Sequence, residues 1–267
     1  VRVVADLEAL SRAAAAEFTR RARAAIARRG RFTVALAGGS TPARLYALLA
    51  DPCRPWRARI RWDRVECFFT DERDVPARHP DSNVRTARRA LLDRVPIPRS
   101  RIHPVRFEGR APAAPGTGGG ARTVSAARRA RRAALRYARV LRTAFDLPPD
   151  GMPRFDLVLL GLGADGHVAS IFPRRGARRS PGGLVAAVPA PGPGIPGGAH
   201  ARVTLTLPVL DAAAAVIVLV SGASKAGALS SALGRRRSDR PATLLRPSRG
   251  RLIWIVDRAA AGRRRPR

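Results

Sequence analysis

Asp165 and His167 stand two residues apart in the run Gly161-Leu162-Gly163-Ala164-Asp165-Gly166-His167. A carboxylate that close can orient an imidazole and raise its basicity, which prepares the ring to take a proton from water. Gly163 and Gly166 let the backbone turn sharply and come close to a ligand. The glycine spacing resembles a dinucleotide fingerprint, but the run falls late in the chain and carries an acid and a histidine. His79, His103 and His200 lack such a setting and read as structural or exposed.

Three other segments offer chemistry. In Gly38-Gly39-Ser40-Thr41-Pro42, two glycines allow close approach, Ser40 and Thr41 can cap a helix, and Pro42 suits its first turn. Free N–H groups at such a helix start favour a phosphate. The Gly-Lys-Ser/Thr ending of a nucleotide-binding P-loop is missing. Asp71-Glu72-Arg73, followed by His79-Pro80-Asp81-Ser82-Asn83, places three charges that are costly to bury together; a solvated turn with Ser82 or Asn83 as a helix cap is the plainer alternative. Ser221-Gly222-Ala223-Ser224-Lys225 holds the chain's one lysine. A compact ammonium there can serve a phosphate as a point charge, or simply sit in solvent near a helix start.

These segments need elements to position them. Leu7, Leu10, Ala14, Phe18, Ala22 and Ile26 recur at helical spacing and predict a helix over 7–28. Short apolar runs predict strands at Phe32–Ala37, Val65–Phe69, Phe155–Gly161, Leu184–Val188, Val203–Leu207, Ala215–Val220 and Leu252–Val256. Helices are expected through Leu45 to Leu49, over Ser82–Leu92, from about Arg128 through Leu141, and up to about Leu233. Residues 110–125 read as a Gly/Pro-rich surface loop, and 263–267 as a basic, disordered tail. Strands alternating with helices indicate an α/β class: a mostly parallel sheet with helices on both faces, formed as a single domain over 1–262. Such sheets bind ligands at the carboxyl ends of their strands, where the four segments fall.

Taken together, the segments resemble the 6-phosphogluconolactonase family. Leu36 to Pro42 resembles its first motif and Asp71-Glu72-Arg73 with Ser82-Asn83 its second. Gly161 to Pro173, reading GLGADGHVASIFP, is similar to its signature. Arg202-Val203-Thr204-Leu205-Thr206, Gly222-Ala223-Ser224-Lys225 and Trp254-Ile255-Val256-Asp257 resemble later blocks, in order, over nearly the whole chain. The resemblance implies a Rossmann-like fold shared with glucosamine-6-phosphate deaminases and ribose-5-phosphate isomerases. It implies hydrolysis of 6-phosphogluconolactone to 6-phosphogluconate in the oxidative pentose phosphate pathway. By it, His167 is the general base, Asp165 its support, and Arg73 a stabiliser of substrate charge. Ser40, Thr41, Arg202 and Lys225 hold the phosphate, with Gly38, Gly39, Asp71, Glu72, Asn83, Gly163 and Gly166 also at the site. No metal or organic cofactor is implied. Two stretches depart from the family pattern: 110–125 is long, and Pro193-Gly194-Ile195-Pro196-Gly197-Gly198-Ala199-His200 replaces a basic Pro-rich turn.

Other functions compete. An amino-sugar-phosphate deaminase on the same fold has a motif that continues from the histidine toward a Glu, whereas Val-Ala-Ser-Ile-Phe-Pro follows His167. A polyanion-binding protein rests on charge alone: 51 basic against 19 acidic residues, net +32. The arginines are spread along the chain without interleaved aromatics, as compositional bias would leave them, and no specific nucleic-acid partner is expected. An inactive paralogue would not need the Asp165–His167 pair. With 45% hydrophobic residues the chain can bury a core, and its longest clean apolar run, Ala212 to Val220, is too short to span a membrane. The N-terminus lacks a signal-like apolar stretch, so a cytoplasmic protein is expected. Cys67 reads as a small core residue, Cys53 as part of a Pro-rich turn, and a disulfide framework is not expected.

Overall fold

The computed structural model describes residues 1–108, 120–173, 183–234 and 239–262. The expected tail at 263–267 and most of the 110–125 stretch lie outside the described residues. In chain order the strands are β1 (Arg2–Val4), β2 (Phe32–Leu36), β3 (Val65–Phe69), β4 (Asp71–Arg73), β5 (Leu157–Gly161), β6 (Val185–Val188), β7 (Arg202–Leu205), β8 (Ala215–Val220) and β9 (Arg251–Asp257). The helices are α1 (Leu7–Arg29), α2 (Ser40–Ala50), α3 (Pro55–Ala58), α4 (Asn83–Ala87), α5 (Gly120–Ala144), α6 (Leu207–Asp211), α7 (Ala226–Leu233) and α8 (Arg258–Ala261).

Local chemistry sets the ends of α1. The Asp6 side chain accepts the Ala9 N–H at 2.8 Å, and Gly30 closes the helix in the left-handed region at φ +70°. Its predicted stripe is the buried one: Leu10, Ala14, Phe18 and Ala22 face the core, with Leu7 and Ile26 at its ends. Six strands form a parallel sheet in the order β1-β9-β8-β5-β2-β3. Every residue of β2 and of β8 is buried, so both faces of the sheet are covered. One hydrophobic cluster runs from α1 through the sheet to α8. Among the described residues no helix is long and apolar enough to cross a membrane. Cys67 is buried in that cluster, and Cys53 is exposed.

Two expectations need correction. The strands near 185 and 203 do not join the parallel sheet. With β4 they make a separate antiparallel sheet, ordered β4-β7-β6. Apolar runs report burial and not pairing direction, so the sequence pattern could not separate the sheets. Thr70 is the junction: its N–H donates to Leu36 O at 2.9 Å in the parallel sheet, and its carbonyl accepts from Leu205 N at 2.8 Å in the small one. Second, α5 begins at Gly120, eight residues before the expected start at Arg128. An ionic contact supports its early turns. Arg129 donates to Asp74 Oδ2 through Nε and Nη2 at 3.0 and 2.8 Å, and to Ser125 Oγ at 2.9 Å.

Strand order also locates a crevice. From β2 the chain moves outward to β3, and later it returns as β5 on the other side of β2. The loops leaving β2 and β5 therefore diverge, and a gap opens between their carboxyl ends. Farther along that edge, α5 is tied to the end of β3. Tyr137 Oη accepts the Phe69 N–H at 2.7 Å and donates to Phe69 O at 3.0 Å, fully inside the core. Tyr137→Phe would leave both backbone groups without that partner. It should lower unfolding free energy by about 1–3 kcal/mol, read as a lower urea midpoint at unchanged slope; an unchanged midpoint would show the bond to be dispensable.

Candidate active site

The crevice is a cavity of about 560 Å³. Its floor is the loop after β2. Gly38 has no room for a side chain, because an added Cβ would stand 1.8 Å from Asn83 Oδ1. Gly39 adopts φ +98° and occupies the cap position of α2, with no side-chain cap bond. Ser40 and Thr41 therefore do not cap the helix, as the sequence suggested; they lie in its first turn and line the cavity. The first N–H groups of α2 keep the partial positive charge of a helix start.

The loop after β5 carries the acid–base pair. His167 Nδ1 lies 2.6 Å from Asp165 Oδ1, which also accepts the His167 backbone N–H at 3.2 Å. The turn is closed by Gly166 N–H to Gly163 O at 3.0 Å and Gly163 N–H to His167 O at 2.9 Å. Gly166, at φ +87°, shapes this turn and stands behind the residues that line the cavity. Partial burial pushes the Asp165 carboxyl up, but the hydrogen bonds and charge of His167 outweigh it, and its pKa falls below the usual value. Asp165 is thus an anion at neutral pH. In the neutral ring, a proton on Nδ1 directed at Asp165 leaves Nε2 free to accept one. Phe172 packs against the ring at 4.7 Å between centroids.

The small sheet supplies a positive wall. Arg73 and Arg202 are register partners across β4 and β7, and both line the cavity. Arg73 Nη1 donates to Asp81 O at 2.7 Å; Arg202 Nη2 donates to Pro196 O at 2.6 Å and Nη1 to Ser170 Oγ at 3.4 Å. The Nε of each is buried without a partner among the described residues. Burial first, then the neighbouring Arg73, lower the Arg202 guanidinium to about 10, against the pull of Asp71, Asp81 and Glu72. Two desolvated, under-partnered cations side by side favour an anion between them.

The adjacent acids have other duties. Asp71 lines the cavity, but its carboxylate accepts Asn83 Nδ2 at 3.1 Å and Ser170 Oγ at 2.6 Å. Glu72 is not among the residues that line the cavity. Its carboxylate accepts the N–H groups of Arg73, Asn83 and Val84 at 2.8–2.9 Å and the Ser82 hydroxyl at 3.0 Å, so it caps α4. Burial pushes its pKa up, against those four donors. Asn83 borders the cavity, as expected. So does Lys225, brought there by the loop after β8. That loop is pinned by Asp257, which accepts Ser221 Oγ at 2.5 Å and Gly222 N–H at 3.1 Å.

Sequence reasoning missed Ser170 and Phe172, which join the histidine segment to Arg202; the Arg202 guanidinium carbon lies 5.4 Å from the Phe172 ring centre. The signal was a lone hydroxyl in an apolar run three residues after His167. In sum of its groups, the cavity holds an oriented imidazole, two guanidiniums, one ammonium and a helix start. That set can activate water beside an anionic, carbonyl-bearing molecule.

The chain is similar to proteins of one family. A family model described as glucosamine-6-phosphate isomerases/6-phosphogluconolactonase matches residues 5–254. The chain is 36% identical over 234 residues to a 6-phosphogluconolactonase of Synechocystis, covering 87% of this chain and 84% of that one. It is 36% identical over 260 residues to one of Streptomyces coelicolor, covering 96% and 91%. Among solved structures, a 6-phosphogluconolactonase from Leishmania guyanensis superposes with a TM-score of 0.83 at 28% identity, covering 99% of both chains.

Gly163 offers a direct test of the pair's geometry. A Cβ there would stand 2.1 Å from His167 Nδ1 and 2.5 Å from Asp165 Oδ1. Gly163→Ala should displace the imidazole and cut turnover by roughly 10²-fold, with circular dichroism unchanged. Wild-type turnover in that variant would mean that the pair's position does not govern the chemistry.

Proposed function

The chain belongs to the glucosamine-6-phosphate isomerase/6-phosphogluconolactonase family, and we propose that within it the chain hydrolyses 6-phospho-D-glucono-1,5-lactone to 6-phospho-D-gluconate, in the oxidative pentose phosphate pathway. The observation that carries this reading is the 2.6 Å Asp165–His167 contact on the wall of a cation-lined cavity. His167 Nε2 takes a proton from water, and the resulting hydroxide adds to the lactone carbonyl carbon. Arg73 stabilises the negative charge that develops on the carbonyl oxygen. When the tetrahedral intermediate collapses, the bond from that carbon to the ring oxygen breaks. The ring oxygen then takes the proton back from the imidazolium, leaving a carboxylic acid that ionises in water. Asp165 holds the ring and stabilises its charged form throughout.

Ser40, Thr41, the α2 N–H groups, Lys225 and Arg202 are assigned to the phosphate. Gly38, Gly39, Asn83 and Asp71 shape the floor beneath the sugar. The amino-sugar deaminase alternative calls for a second acid, and Asp71 and Asp165 are the only acids among the described residues that line the cavity. Both are already engaged. The reaction belongs in the cytoplasm on this reading, because a phosphorylated substrate does not cross a bilayer unaided.

Freshly prepared lactone, followed by acid release against a no-enzyme control, tests the activity. His167→Ala should lower the rate by roughly 10²- to 10⁴-fold with the fold intact, and His167→Gln by nearly as much, since an amide cannot take the proton. Normal turnover in either variant would move the base elsewhere.

Lys225 separates binding from chemistry. A charge-assisted hydrogen bond to phosphate is worth roughly 1.5–3 kcal/mol. Lys225→Ala should therefore lower kcat/KM about 10- to 150-fold on the phosphorylated lactone and leave the unphosphorylated lactone nearly unaffected. Equal losses on both substrates would exclude Lys225 as a phosphate ligand.

A further inference from the structure

Two histidines given no role in the proposed reaction meet beside the cavity. His79 follows β4 and His200 precedes β7, and the antiparallel pairing of those strands brings them together around Asp81. His200 Nε2 is 3.5 Å from Asp81 Oδ2, and His79 Nδ1 is 3.9 Å from the same oxygen. The rings stand edge to face with centroids 5.3 Å apart. The three ligand atoms all lie within 4.8 Å of one another, and each residue is half-buried. Ligands bound tetrahedrally about 2.0–2.1 Å from a zinc ion are roughly 3.3–3.5 Å apart. One separation already has that value, and the others exceed it by little more than 1 Å at most.

We infer that His79, Asp81 and His200 form a binding site for a divalent transition-metal ion of the zinc class, with solvent in the fourth position. His79 already presents an acceptor nitrogen to this corner. His79 Nδ1 accepts the Asp81 backbone N–H at 3.1 Å, so that nitrogen is unprotonated; this bond is the one that metal binding gives up. Two imidazoles and one carboxylate suit zinc or cobalt and not magnesium or calcium, which call for more oxygen ligands.

The ion would act as a clasp and not as a reagent, because none of the three residues lines the cavity. It would join two segments that hold the positive wall. Asp81 O accepts from Arg73, and Pro196 O, in the segment leading to His200, accepts from Arg202. Gly194, Ile195 and Pro196 of that segment line the cavity themselves. Pinning His200 to the 79–81 turn thus fixes the carbonyls that aim both guanidiniums.

Cys53 is an exposed thiol and could bind zinc by itself, so the test uses a Cys53→Ser background. Zinc is titrated against a chromophoric chelator, and cobalt is followed by its visible absorption. One ion per chain is expected, with a zinc-dependent rise in Tm. His200→Ala should weaken binding by at least about tenfold and abolish the Tm rise, and His79→Ala should do the same. Absence of stoichiometric binding in the Cys53→Ser protein, or zinc bound as tightly by His200→Ala, overturns the site. Neither measurement depends on lactonase activity.

Discussion

The Asp71 carboxylate, buried where four segments meet, is the interaction on which the cavity depends. It accepts from Asn83 at the start of α4 and from Ser170 beyond the β5 loop, while its own strand pairs with β7. Ser170 in turn receives Arg202. A buried carboxylate is costly unless its oxygens are satisfied, so these partners are held in place by the penalty of losing them. Asn83, fixed in this way, also sits so close to Gly38 that only a glycine fits the β2 loop there. The floor, the positive wall and the segment after the histidine are thereby registered on one charge.

Around that anchor the site is built from charges lacking full compensation. Arg73 and Arg202 are held together by backbone pairing, a position that two free guanidiniums would avoid. Carbonyls of Asp81 and Pro196 orient them, yet a carbonyl oxygen only partly offsets a cation. The Glu72 carboxylate is turned to the start of α4, where backbone N–H groups and the Ser82 hydroxyl occupy it. The acids nearby, Asp71 and Glu72, are already engaged by other donors, so the wall keeps an attraction for an anion. Such preorganised positive potential costs stability in the free protein and is repaid when an anion enters. The chain's net charge of +32 adds a general attraction for anions. Selectivity lies instead in the few buried groups that point inward.

Much of this was legible in the chain itself. The apolar stripe of α1, the continuous strands β2, β5 and β8, and the glycine-bounded turns are local patterns, set by neighbours within a few residues. The Asp165–His167 pair is likewise local, because its two members are separated by one glycine in a tight turn. Glu72 stands apart from its neighbours. Its neighbours Asp71 and Arg73 do line the cavity, but alternation along β4 sends its side chain to the opposite face.

Sequence alone determined the long helices and apolar strands, their order, the Asp165–His167 pair and the glycines that shape its turn, because each follows from side-chain periodicity or steric freedom over a short span; the short β1 and the charged β4 carried no such pattern. Tertiary structure decided which strands share a sheet, that Arg73 and Arg202 stand side by side, that Ser170 and Phe172 join them to the histidine, and that His79, Asp81 and His200 converge. Those juxtapositions unite residues up to about 130 positions apart. They depend on Thr70 passing the chain from the parallel sheet into the antiparallel one. Pairing direction is chosen by packing of the whole, which no local pattern encodes.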